Sequence, residues 1–121
     1  MNVLLVEDDD SIALVVEAVL KKEGHVVVRV GDAEAGLATA TESIPDMLIA
    51  DLTLPGDMDG LAMAKLLCAR CPALPVVLMS GAFDEDSMKP PGLEKAALLP
   101  KPFRRAALLE ALERARDVIQ G

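Results

Sequence analysis

The chain has 121 residues and is expected to form one domain, 1–121, long enough to bury roughly two thirds of the surface its unfolded form exposes. A formal net charge of -8 without a compensating basic cluster argues against nucleic acid, since affinity for a phosphate backbone comes largely from Lys and Arg displacing counterions. Hydrophobic residues make up 52% and aromatics 2%, so the core must be aliphatic around Phe83 and Phe103, and no apolar segment reaches the ~20 residues of a membrane span.

Met1 leads directly into the apolar run Asn2 to Val6, without the charged start and apolar stretch of a signal peptide, and a cytoplasmic protein is the expectation. That run ends in Glu7-Asp8. Asp8, Asp9 and Asp10 either cap a helix and complement its dipole or serve a site. Behind them Ile12, Val15, Val16, Val19 and Leu20 recur at helical spacing, which predicts a helix over Ser11 to Glu23 stopped by Gly24. A second run near 26–30 precedes Asp32, a suitable cap for a helix reaching Thr41.

A third run near 46–50 ends in Asp51, ahead of the turn-like Leu52-Thr53-Leu54-Pro55-Gly56. Asp59 or Gly60 then opens a helix that Pro72 closes. Cys68 and Cys71 fall near its end. With no second Cys pair, and His25 as the sole imidazole, they read as small apolar residues rather than a redox or metal pair. A fourth run near 76–80 ends in Ser80-Gly81. Between Asp84 and Lys95, Pro90-Pro91-Gly92 would break a continuing helix, so one or two turns or a loop are expected. A fifth run near 96–100 ends in Lys101. Ala107, Leu108, Ala111, Leu112, Ala115 and Ile119 trace the stripe of a last helix over Arg104 to Gln120.

Apolar runs alternating with helical patterns predict an α/β fold, a parallel sheet with helices on both faces. Ligands of such sheets gather beyond the carboxyl ends of the strands, which would bring Glu7, Asp8, Asp51, Ser80 and Lys101 together. Crowded carboxylates call for protonation or a cation, and a hard oxygen-ligand site open to water suits Mg2+. Asp51 is placed to attack phosphorus and form an acyl phosphate. Lys101 and the metal would offset its charge, and Ser80 would hydrogen-bond a phosphoryl oxygen. Singly, Asp51 and Ser80-Gly81 are ordinary turn residues and Lys101 a solvated lysine. Their ordered occurrence after four apolar runs reverses that reading. An aspartate-nucleophile phosphatase would want a second Asp where Thr53 stands. A flavin or nucleotide binder would want Gly, Ser or Thr donors where Asp8-Asp9-Asp10 stand.

From Val3 to the last helix the chain resembles the response-regulator receiver domain of two-component signalling. Leu4-Leu5-Val6-Glu7-Asp8-Asp9 resembles the family's acidic-pair strand, Asp51 to Pro55 followed by Asp59-Gly60 its phosphoacceptor loop, Ser80 its Ser/Thr position, and Lys101-Pro102-Phe103 its lysine-proline-aromatic signature. The resemblance implies a flavodoxin-like, doubly wound five-stranded sheet of order 2-1-3-4-5 and a cis Lys101-Pro102 bond. It implies a phosphoacceptor that assists its own phosphorylation and dephosphorylation rather than an enzyme, a monomer or weak dimer. Asp51 would take phosphate from a histidine kinase or phosphotransfer protein. Mg2+ would be held by Asp8, Asp51 and the Thr53 backbone carbonyl, with Glu7 mainly acting through water. Phosphorylation would shift an equilibrium between two conformations and change the surface offered to a partner protein. The alternatives are a docking module that is never phosphorylated and a receiver cut from a hybrid histidine kinase.

Three departures from the family pattern stand out. Gly56-Asp57 lengthens the loop after Asp51 by one residue, with Asp57 expected to face solvent, where an extra charge costs least. Leu98 stands where the family's switch aromatic is usual. Pro90-Pro91 interrupts a helix that often serves as output surface. That interruption predicts an atypical signalling surface, on the first helix or the last.

Overall fold

Successive side chains of a strand point to opposite faces, so a strand that is apolar at nearly every position demands cover on both. The computed structural model describes residues 1–83 and 87–120 and shows that cover. Its elements run β1 (Asn2–Val6), α1 (Asp10–Lys22), β2 (Val26–Val30), α2 (Ala33–Glu42), β3 (Met47–Asp51), α3 (Gly60–Arg70), β4 (Val76–Ser80), β5 (Ala97–Pro100) and α4 (Arg105–Gln120). The strands form one parallel sheet in the order β2-β1-β3-β4-β5, the order expected.

The period of two sorts the core. Val3, Leu5, Met47, Ile49, Val77 and Met79 face α1 and α4, meeting Ala13, Val16, Leu20, Leu108, Ala111 and Leu112. Leu4, Val6, Leu48, Ala50, Val76 and Leu78 face α2 and α3, meeting Ala33, Ala40, Met63, Ala64 and Leu67. The central strands β3 and β4 are buried at every position, while β2 lies at an edge and is only partly covered.

Element ends moved slightly from expectation. Asp9 caps α1 through a bond from the Ile12 N–H, so the helix begins at Asp10 rather than Ser11. Gly24, at a φ of 85° that favours glycine, turns the chain out of α1 as predicted. β3 runs on through Asp51, because its ladder partner Met79 lies one residue short of the end of β4. Asp59 caps α3, and Cys71 sits at its C-cap rather than inside it.

Between β4 and β5, residues 87–96 hold two successive turns, Leu93 N–H to Pro90 C=O at 2.9 Å and Ala96 N–H to Leu93 C=O at 3.0 Å. Leu93 and Ala96 are buried on the face of α3. Asp84, Glu85 and Asp86, which open the segment predicted to be irregular, lie outside the described residues, as does the side chain of Ile119. No helix among the described residues is long and apolar enough to cross a membrane.

Candidate functional site

Register brings the chemistry to one edge. Val6 pairs with Val30 and Ala50, Asp51 with Met79, and Ser80 with Pro100. Beyond these pairs the ladder continues through Glu7 N–H to Val30 C=O, Leu52 N–H to Met79 C=O and Lys101 N–H to Ser80 C=O, each 3.0 Å. The start of α3 presses on the same edge. A Cβ on Gly60 would lie 1.8 Å from the carbonyl oxygen of Asp51, so only glycine permits this approach.

Glu7 and Asp51 are buried and Asp8 is exposed, yet one carboxylate oxygen from each lies within 4.8 Å of the others. The Lys101 ammonium bridges the two buried acids, donating to Glu7 Oε1 at 2.8 Å and to Asp51 Oδ2. Asp51 Oδ1 accepts from the Thr53 N–H at 2.9 Å, and Glu7 Oε2 from the Asp9 N–H at 3.2 Å. Burial pushes the Glu7 carboxyl above the ordinary carboxylate range, against the bonds from Lys101 and Asp9. Burial alone would lower Lys101, but its bonds to Asp51 and Glu7 prevail and raise it, so the ammonium stays charged.

Three carboxylates against one ammonium formally leave a negative excess that opens to water at Asp8. An all-oxygen donor set of this kind fits a small hard divalent cation. The acidic trio is divided: Asp8 faces the site, Asp9 caps α1, and Asp10 pairs with Arg29 Nη1 at 2.9 Å. Arg29 also donates from Nε and Nη2 to the carbonyl of Glu7, at 2.9 and 2.8 Å. Sequence reasoning missed this residue. Its signal was a single charge within the aliphatic run Val26 to Val30.

The other predicted residues lie close by. Buried Ser80 accepts the Ala82 N–H at 3.0 Å on Oγ, and its O–H proton can still be donated. Among the described hydrogen bonds its hydroxyl stands beside the network of the Lys101 ammonium rather than in it. Asp57 is exposed and is not one of the converging carboxylates. Leu98 is half-buried on β5, and its carbonyl accepts from Arg114 Nη2 at 3.3 Å. The Lys101-Pro102 bond is cis. Cys68 and Cys71 are half-buried free thiols against the core, with burial pushing Cys68 upward.

Residues 3–113 match the family model of the response regulator receiver domain. The DNA-binding transcriptional regulator NtrC of Proteus hauseri is 36% identical over 115 residues, covering 94% of this chain and 24% of its own length. The chain thus spans about a quarter of the length of several curated relatives it matches. Among solved structures, the chemotaxis protein CheY4 of Vibrio cholerae is 26% identical with a TM-score of 0.79, covering 94% of this chain and 97% of its own. The receiver domain of the hybrid histidine kinase CckA is 29% identical with a TM-score of 0.76, covering 96% of this chain and 99% of its own.

Proposed function

The chain belongs to the response regulator receiver domain family, and from that premise we propose that it is a phosphoacceptor switch, one domain over 1–121, in which Asp51 takes a phosphoryl group from a histidine kinase or histidine phosphotransfer protein. The observation that carries this reading is the convergence of Glu7, Asp8 and Asp51 beneath the Lys101 ammonium. A carboxylate attacks a phosphoryl group only when the mutual repulsion of the two anions is offset.

Asp51 forms the new O–P bond as the donor's P–N bond breaks, and that bond's electron pair leaves on the imidazole. The Thr53 N–H and Lys101 hold the two oxygens of Asp51 in place beforehand. Lys101 is positioned to follow negative charge onto the phosphoryl oxygens, and Ser80 offers an O–H to the same group. Glu7, Asp8, Asp51 and the Thr53 backbone carbonyl would hold Mg2+, which when bound supplies further neutralisation of the transferring group. The chain modifies itself and turns over no separate substrate, so it is a signalling phosphoacceptor of the cytoplasm rather than an enzyme. Phosphorylation biases two conformations and thereby a protein partner.

Incubation with MgCl2 and acetyl phosphate is expected to add one phosphoryl group by intact mass, and Asp51→Asn to abolish the addition. Modification that persists in the variant rejects Asp51 as acceptor. A folded wild-type chain that stays unmodified favours the docking-module alternative.

A further inference from the structure

Arg29 is the single charge on β2, and its side chain, 26% exposed, turns back over the loop that follows β1. Its guanidinium makes three hydrogen bonds there, two to the Glu7 carbonyl and one to Asp10 Oδ1. The carbonyl is the informative partner. It lies in the rigid peptide plane that joins Glu7 to Asp8, so holding that oxygen fixes the direction in which Asp8 leaves the strand.

The rest of Glu7 is fixed independently of Arg29. Its N–H reaches Val30 C=O, Oε1 reaches Lys101 and Oε2 accepts from Asp9. Asp8 is therefore the residue whose placement depends on the guanidinium. The same group draws Asp10 aside, and Asp10 is not among the converging carboxylates. A planar fork of donors grips the carbonyl at two points and the carboxylate at a third in one fixed geometry, which a point-like ammonium does not reproduce.

We propose that Arg29 is a positioning residue for the cation site: it fixes the Glu7–Asp8 peptide and sequesters Asp10, so that Asp8 rather than Asp10 joins Asp51. The proposal rests on the reading of this edge as a divalent-cation and phosphoacceptor centre. Charge alone predicts the opposite effect. A guanidinium repels a neighbouring cation, so its removal would tighten Mg2+ binding if electrostatics dominated. A purely structural Arg29 would lower stability and leave Mg2+ affinity unchanged.

The test follows backbone amide shifts of residues 7–10 during MgCl2 titration of wild type, Arg29→Ala, Arg29→Lys and Asp10→Asn, with urea denaturation of each in EDTA. Arg29→Ala is expected to weaken Mg2+ binding roughly tenfold, the scale on which groups that orient metal ligands act. Arg29→Lys retains the charge and the fold but loses the fork, and is expected to remain weakened. Asp10→Asn is expected to bind like wild type. Unchanged or tighter binding in both Arg29 variants, or a loss in Asp10→Asn as large as that in Arg29→Ala, overturns the positioning role while wild-type binding and phosphorylation stand. Wild type that neither binds Mg2+ nor takes phosphate overturns the reading of the site itself, and the role of Arg29 with it.

Discussion

At the carboxyl ends of β1 and β3, Glu7 and Asp51 are gripped by Lys101, by backbone N–H groups and by the close approach of Gly60, whereas residues 87–96 are held by two turns and by Leu93 and Ala96. Both regions border the same sheet, yet physical chemistry constrains them differently. A buried carboxylate without its partner costs several kcal/mol, so the first region tolerates little movement. A connection that buries two apolar side chains meets its requirement with many backbone paths. The groups that would bind phosphate and cation therefore sit on the rigid region, and of the three departures from the family pattern Pro90-Pro91 falls within the permissive one, while Leu98 lies on the strand that follows it and Gly56-Asp57 in the loop after Asp51.

The largest expected effect lies at the rigid end. Gly60→Ala places a methyl group against the backbone of Asp51, which cannot rotate away, and should cost at least about 3 kcal/mol in urea denaturation. Gly31→Ala, where the added carbon meets nothing within 4 Å, should stay within about 0.5 kcal/mol. Similar losses in the two variants would break the contrast. Lys101→Ala comes next. It strands two buried acids, so a loss of about 3 kcal/mol is expected, with acetyl phosphate labelling reduced more than about tenfold. Saturating Mg2+ should stabilise this variant more than wild type, because a cation substitutes for the missing ammonium. Leu93→Ala should cost about 2–3 kcal/mol through the cavity it leaves, while Asp51 still accepts phosphate. Labelling lost together with stability would show that the connection and the site are one cooperative unit.

The same contrast explains what could be read from sequence. Strands buried on both faces leave unbroken aliphatic runs, so Leu4 to Val6 and Leu48 to Ala50 announce themselves, and the residues ending those runs mark the site. Helix caps are short-range chemistry, and Asp32 and Asp59 were readable for that reason. Arg29 was not, because its main partner is the carbonyl of Glu7, and a backbone oxygen leaves no trace in composition or spacing. The division of Asp8, Asp9 and Asp10 into converging carboxylate, cap and ion pair was hidden too. Adjacent identical side chains differ only in the direction that the fold gives them. Pro90-Pro91 forbade a helix, but the choice of two turns required knowing that Leu93 and Ala96 reach the core.

The smallest expected effect sharpens the comparison from the permissive side. Met88 is 88% exposed, so truncation removes little buried surface, and Met88→Ala should change stability by less than about 0.5 kcal/mol. Leu93, five residues on in the same connection, is 2% exposed. The pair tests whether the segment is anchored at one point or packed along its length. A loss of more than 1 kcal/mol at Met88, by the rule that truncation costs follow buried apolar area, would mean that its thioether is covered in solution. If that loss grows with protein concentration, the cover comes from a second copy of the chain. If it does not, the connection folds back on its own domain and loses the freedom that sets it apart from the carboxylate end.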